Sequence, residues 1–176
     1  SSFNVNPVIH NYVVTGSTVE YISAASNWVL SSFTYNNLSF SGTGDWSVGY
    51  STPEVDKTIF VLGNYSQTNG KVFLGETASK IATLNIEGDM SISGGIFEMN
   101  AINGGQGIVN LKGDLTISSS GILSATSTTV SNSNFNFTGT GNGTTDALTQ
   151  TININNTATA QRTTFNVSSG SYTKLI

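Results

Sequence analysis

Asp89 and Asp114 are the residues whose type and spacing come nearest to chemistry. Each follows a glycine, in Gly88-Asp89-Met90-Ser91-Ile92 and Gly113-Asp114-Leu115-Thr116-Ile117, and they lie 25 residues apart. Two carboxylates stacked one above the other would share a proton or a cation, and with Glu98 on the following segment they would supply the acidic part of a site that cleaves polysaccharide. Gly-Asp is also ordinary turn chemistry, an Asp side chain bonding local backbone after a flexible Gly, and this is the reading we favour. No Lys or Arg aligns beside the pair to complete a lyase-type site, and Arg162 is the one Arg in the chain.

The other candidates carry less. His10 is the sole histidine, which leaves neither a metal pair nor a relay to activate any of the serines. Gly139-Thr140-Gly141-Asn142-Gly143 has the glycines of a phosphate loop but no Lys-Ser/Thr after them. Trp46 and Tyr50 would stack on sugar rings if exposed, although large aromatics more often cover a core. The pairs Thr126/Thr128, Thr138/Thr140 and Thr157/Thr159 would form a flat threonine array only in register, and their steps of 12 and 19 residues do not repeat. The expectation is therefore no catalytic residue, no metal and no cofactor, with Trp46, Tyr50, Asp89 and Asp114 as weak candidates for ligand contact.

What must position these residues is a repeat. The pattern apolar, any, apolar, any, Gly fits Leu38–Phe40–Gly42, Ile59–Val61–Gly63, Leu84–Ile86–Gly88, Val109–Leu111–Gly113 and Phe135–Phe137–Gly139, with Tyr12–Val14–Gly16 before them and a degenerate copy at Ile152–Ile154. The middle copies return after 25, 25 and 26 residues. They also share a second station (Tyr65, Met90 and Leu115) and a third (Val72/Leu74, Phe97/Met99 and Leu123/Ala125). Alternation at period two describes a strand with one buried face. Three such strands, turning at small residues and returning at a fixed interval, describe one coil of a solenoid.

The expected fold is all-β, a right-handed parallel β-helix (β-solenoid) with coils of about 25 residues. Stacking then places Met90 over Leu115, Ile92 over Ile117 and Ile86 over Leu111, swaps that keep core volume nearly constant. Outside, it forms a column of Asn85, Asn110, Asn136 and Asn153 and sets Glu87 beside Lys112. An antiparallel β-sandwich is the alternative; it explains the alternation but not the constant return. Residues 1–34 read as an irregular or capping segment and 35–176 as the solenoid. Ser17-x-x-Glu20 has the form of a helix capping box, so a short helix over 17–27 competes with an early strand over 19–22.

Composition agrees. Ser, Thr, Asn and Gly make up 88 of the 176 residues, and only 9% are charged against roughly 25% in an ordinary domain. With 37% apolar residues the chain can fill a core, which excludes a charged disordered tail. Six basic residues against ten acidic ones offer no footprint for nucleic acid. There is no cysteine, and no apolar run reaches the roughly 20 residues of a transmembrane helix.

Phrases such as Leu84-Asn85-Ile86-Glu87-Gly88-Asp89-Met90-Ser91-Ile92 and Val109-Asn110-Leu111-Lys112-Gly113-Asp114-Leu115-Thr116-Ile117 resemble the Gly/Ser/Asn/Thr-rich repeats of large secreted β-solenoid surface proteins of bacteria, particularly Bacteroidota. More distantly they are similar to the filamentous-haemagglutinin and autotransporter passenger class. The resemblance implies an extracellular or cell-surface location and a non-enzymatic structural or adhesive role within a longer protein. Its implied partners are surface glycans or further copies of the chain. A polysaccharide-binding or polysaccharide-cleaving β-helix and a homopolymeric extracellular fibre are the alternatives, since fold alone does not decide function.

Overall fold

The computed structural model describes residues 15–29, 34–48, 55–75, 80–99, 105–118, 120–124, 133–139, 150–154, 164–167 and 173–175. All their regular structure is strand. The first coil holds β1 (Thr18–Tyr21), β2 (Asn27–Trp28) and β3 (Thr34–Tyr35), and the second β4 (Asn37–Phe40), β5 (Asp45–Val48) and β6 (Lys57–Val61). The third holds β7 (Tyr65–Gln67), β8 (Lys71–Leu74) and β9 (Ile81–Ile86), and the fourth β10 (Met90–Ile92), β11 (Ile96–Glu98) and β12 (Gln106–Leu111). The fifth holds β13 (Leu115–Ile117), β14 (Ile122–Ser124) and β15 (Asn134–Phe137); β16 (Gln150–Ile154), β17 (Thr164–Val167) and β18 (Thr173–Leu175) follow.

Each strand pairs with its counterpart one coil away, and every pairing is parallel. Three sheets result, here named A (seven strands, β1-β4-β7-β10-β13-β16-β18), B (five, β2-β5-β8-β11-β14) and C (six, β3-β6-β9-β12-β15-β17). The molecule is a parallel β-solenoid, and the antiparallel sandwich is excluded. The segment with the capping-box form is not a helix: β1 occupies it and pairs with β4, so solenoid pairing is already present at Thr18, within the segment read as a cap.

Alternation decides what is inside. In β9 and β12 every second side chain is buried, and β4, β7, β10 and β13 follow the same rule. The stacking of Met90 on Leu115, Ile92 on Ile117, Ile86 on Leu111 and Phe97 on Leu123 is as expected. Ala125, the expected partner of Met99, lies outside the described residues.

Two copies of the five-residue pattern belong elsewhere. Leu38–Phe40–Gly42 is in sheet A, where Leu38 pairs with Tyr65; the sheet C position one coil before Ile59–Val61 is held by β3, with Tyr35 opposite Val61. Ile152–Ile154 is also in sheet A, opposite Leu115–Ile117, so Asn153 faces Thr116 and the fourth place in the asparagine column falls to Asn166. The physical reason is that glycine serves both the corner after sheet A (Gly42, Gly70, Gly95) and the corner after sheet C (Gly63, Gly88, Gly113), so strands of either sheet can end in apolar, any, apolar, any, Gly. Tyr12–Val14 lies outside the described residues.

One corner, between sheets C and A, carries Gly63, Gly88 and Gly113. Backbone there passes directly over backbone: Gly88 N–H donates to Gly63 O and Gly113 N–H to Gly88 O, each at 3.0 Å. A Cβ on Gly88 would lie 2.7 Å from Gly63 O and would overlap Asn64 Oδ1. The other corner, between A and B, carries Gly70 and Gly95, whose φ values of 67° and 73° are in the left-handed region.

Large aromatics fill the interior of the early coils. Phe40 stacks on Tyr21 (ring centroids 5.1 Å apart) and meets Trp46 at 5.5 Å and Tyr65 at 5.7 Å; Tyr65 meets Phe97 edge-on at 5.6 Å. Tyr65 OH donates to Gln67 Oε1 at 3.0 Å, and Gln67 Nε2 in turn donates to Ile96 O at 3.1 Å. Gln67 is thereby a polar residue at 0% exposure with its amide satisfied.

Two expectations follow. Gly88→Ala keeps an ordinary backbone conformation but forces two coils apart, and is expected to cost about 1–3 kcal/mol in denaturant unfolding; an unchanged midpoint would show that the corner is not tightly packed. Burial raises the Tyr65 phenol well above its ordinary value. The stability this confers is complete below the unfolded phenol's range, near pH ~10, and is lost as pH rises through the folded value. Alkaline unfolding monitored by phenolate absorbance is expected to be delayed in Tyr65→Phe relative to the parent, after allowance for its lower stability at neutral pH.

Candidate functional site

The two aspartates are brought together by the corner between sheets C and A, but as part of a longer series. Asn64 N–H donates to Asn37 Oδ1, Asp89 N–H to Asn64 Oδ1, and Asp114 N–H to Asp89 Oδ1, each at 2.9 Å. Each Asx side chain therefore reaches the backbone of the following coil, where sequence reasoning expected a bond within its own turn. Oδ1 occupies the space that a Cβ on the next coil's glycine would need, which is why Gly precedes Asx at Gly63, Gly88 and Gly113. Asp89 does the same work as the uncharged Asn37 and Asn64, so its carboxylate charge is not what the fold uses.

Trp46 is in the core at 0% exposure, and its indole Nε1–H has no hydrogen-bond partner. It is not available to stack on a sugar; its place in β5 points it inward against Phe40, on the same column as Val72. Tyr50 lies outside the described residues. Glu98, the third acid considered with the aspartates, is buried at 2% exposure on β11 in sheet B, away from their corner. Among the described residues no group of three or more His, Cys, Asp or Glu side chains could hold a metal ion.

No family model, curated protein or solved structure matches the chain.

The outer face of sheet A is a grid of small polar side chains, with Ser39, Ser66, Ser91 and Thr116 in one column and Ser66 Oγ donating to Ser39 Oγ at 2.9 Å. On sheet C the expected asparagine column is present through Asn136: Asn110 Nδ2 donates to Asn85 Oδ1 and Asn136 Nδ2 to Asn110 Oδ1, both at 2.8 Å. Beside it Lys112 Nζ pairs with Glu87 across one coil, both side chains exposed, an arrangement worth at most about 1 kcal/mol. Sequence reasoning missed Phe60 and Leu62, outward residues of the same coil at 46% and 52% exposure. The signal was there: Phe60 stands between Ile59 and Val61, at the position Asn occupies in later copies.

The ladder reading separates two roles for Asp89. Asp89→Asn is expected to leave neutral-pH stability within about 0.5 kcal/mol of the parent, because an amide oxygen accepts the Asp114 N–H as well. Asp89→Ala removes the acceptor and is expected to cost about 1 kcal/mol. Equal losses in both variants, measured by urea unfolding, would show that the carboxylate charge itself matters.

Proposed function

We propose that this chain is a non-enzymatic structural and adhesive segment of an extracellular or cell-surface protein, a stiff support presenting hydrated polar faces. The supporting observation is continuity: sheet A passes through seven strands, each in parallel register with the next. At about 4.8 Å per step those strands alone span about 29 Å of uninterrupted backbone pairing. A sheet paired without interruption resists bending, and its paired backbone is a poor protease substrate. A surface of hydroxyls and amides, in a chain with 16 charged residues among 176, stays hydrated without strong electrostatic steering. The repeat phrases that resemble bacterial surface proteins point to the same setting.

Antibodies raised against the folded chain are expected to label intact, unpermeabilised cells of the organism that makes it, with trypsin leaving the solenoid as a resistant fragment. Label seen only after permeabilisation would overturn the location. Release of reducing ends or unsaturated sugars from a panel of polysaccharides would overturn the non-enzymatic reading.

A further inference from the structure

The amide ladder on sheet C has a direction and an end. Because Asn136 donates to Asn110 and Asn110 to Asn85, each Nδ2 faces the preceding coil. The residue opposite Asn85 in that preceding coil is Phe60, which has no acceptor to offer. Among the described residues the Nδ2 of Asn85 has no hydrogen-bond acceptor, and the position it faces holds an exposed ring. Phe60 is exposed at 46%, whereas Tyr35, Phe40, Trp46, Tyr65, Phe97, Phe135 and Phe137 are buried.

Around this pair the chemistry is mixed in a particular way. Leu62 extends the apolar surface on one side, and Thr58, with its cross-coil neighbour Thr83, supplies hydroxyls on the other. Glu87, the charged residue next to Leu62's place in the ladder, is neutralised by Lys112. Two apolar side chains are far too little for a stable protein interface, which needs about 800 Å² per partner. They match one face of a sugar ring, whose C–H bonds pack on an aromatic surface while its oxygens take hydrogen bonds at the edge.

We propose that Phe60, Leu62 and Asn85 form a binding platform for a neutral pyranose unit of a polysaccharide. The sugar's C–H face lies on Phe60 and Leu62, and a sugar oxygen accepts from Asn85 Nδ2 in place of the missing ladder carbonyl. The proposal deepens the adhesive part of the reading above and rests on it, naming the class of ligand and the face that takes it.

The test is affinity electrophoresis of the whole chain through gels containing β-glucan, xylan, galactomannan or dextran, against a gel without polysaccharide. Retardation by at least one polymer is expected. Phe60→Asn removes the ring and supplies the carbonyl that continues the ladder, so it is expected to weaken binding more than tenfold while the melting temperature holds or rises. Phe60→Trp is expected to retain binding. Should Phe60→Asn fold poorly, Phe60→Ser removes the ring alone and reads the same loss. Displacement by the matching free monosaccharide assigns the site to a single unit, and displacement only by oligosaccharides assigns it to a run of units; either upholds the proposal. No retardation in any gel, undiminished binding by Phe60→Asn, or a parent dimer that Phe60→Asn dissolves in sedimentation would overturn it. Surface labelling is read independently, so loss of glycan binding with labelling intact sinks this platform and leaves the structural role standing.

Discussion

Parallel backbone pairing between coils, at a fixed step of about 4.8 Å, is the constraint from which the rest of this structure follows. It brings each residue to its counterpart one coil away and leaves neither room to shift. Inside, Met90 and Leu115 or Ile86 and Leu111 must share nearly the same volume. Outside, identical amides fall at hydrogen-bonding distance and form a ladder without any bend of the chain. The demand is most severe at the corner between sheets C and A. There the Asx oxygen and the glycine that follows it in the next coil are one device, since the oxygen fits only where a Cβ is missing. A glycine chosen for turning and a glycine chosen for clearance look alike in a sequence, and at this corner it is clearance that is used.

That ambiguity explains what could and could not be read from the residues. The coil length, the stacking of Ile92 on Ile117 and the pairing of Glu87 with Lys112 were all legible, because they need only the period and the direction of neighbouring strands. Strand-to-sheet assignment failed at Leu38–Phe40 and Ile152–Ile154, where an equally good local pattern belongs to a different face. Three short strands per coil with two glycine corners give a phase that local alternation cannot set; the partner one coil away sets it. The reach of Asp89 to Asp114 N–H was hidden for the same reason, being a contact of 25 residues' separation that resembles a local turn in type. Trp46 was misplaced as a candidate surface only in the sense that bulk alone does not tell inward from outward; its register with Val72 does.

A solenoid that is too regular has a problem of its own. Ile92 and Ile117, or Met90 and Leu115, exchange at little cost, so coils built from such pairs alone would tolerate a slip of one repeat. Residues that cannot be exchanged remove that degeneracy. Gln67 sits in the inner column that holds Phe40 before it and Ile92 after it; its Oε1 accepts from Tyr65 OH, and its Nε2 is within reach of Gly70 O in its own coil and Ile96 O in the next. In the place of either neighbour its Oε1 would lose the Tyr65 hydroxyl, because the counterparts of Tyr65 there are Leu38 and Met90, and a buried acceptor left without its donor costs about 1–3 kcal/mol. Trp46, Tyr65 and Phe97 act in the same sense through shape, each filling a space that a smaller counterpart on its column does not. The repeat thus supplies stiffness and the exceptions supply identity. Since the regular positions are already committed to stacking, any property that distinguishes one face of this rod from another has to arise where a coil departs from its neighbours, as β6 does when it carries Phe60 in a column of asparagines.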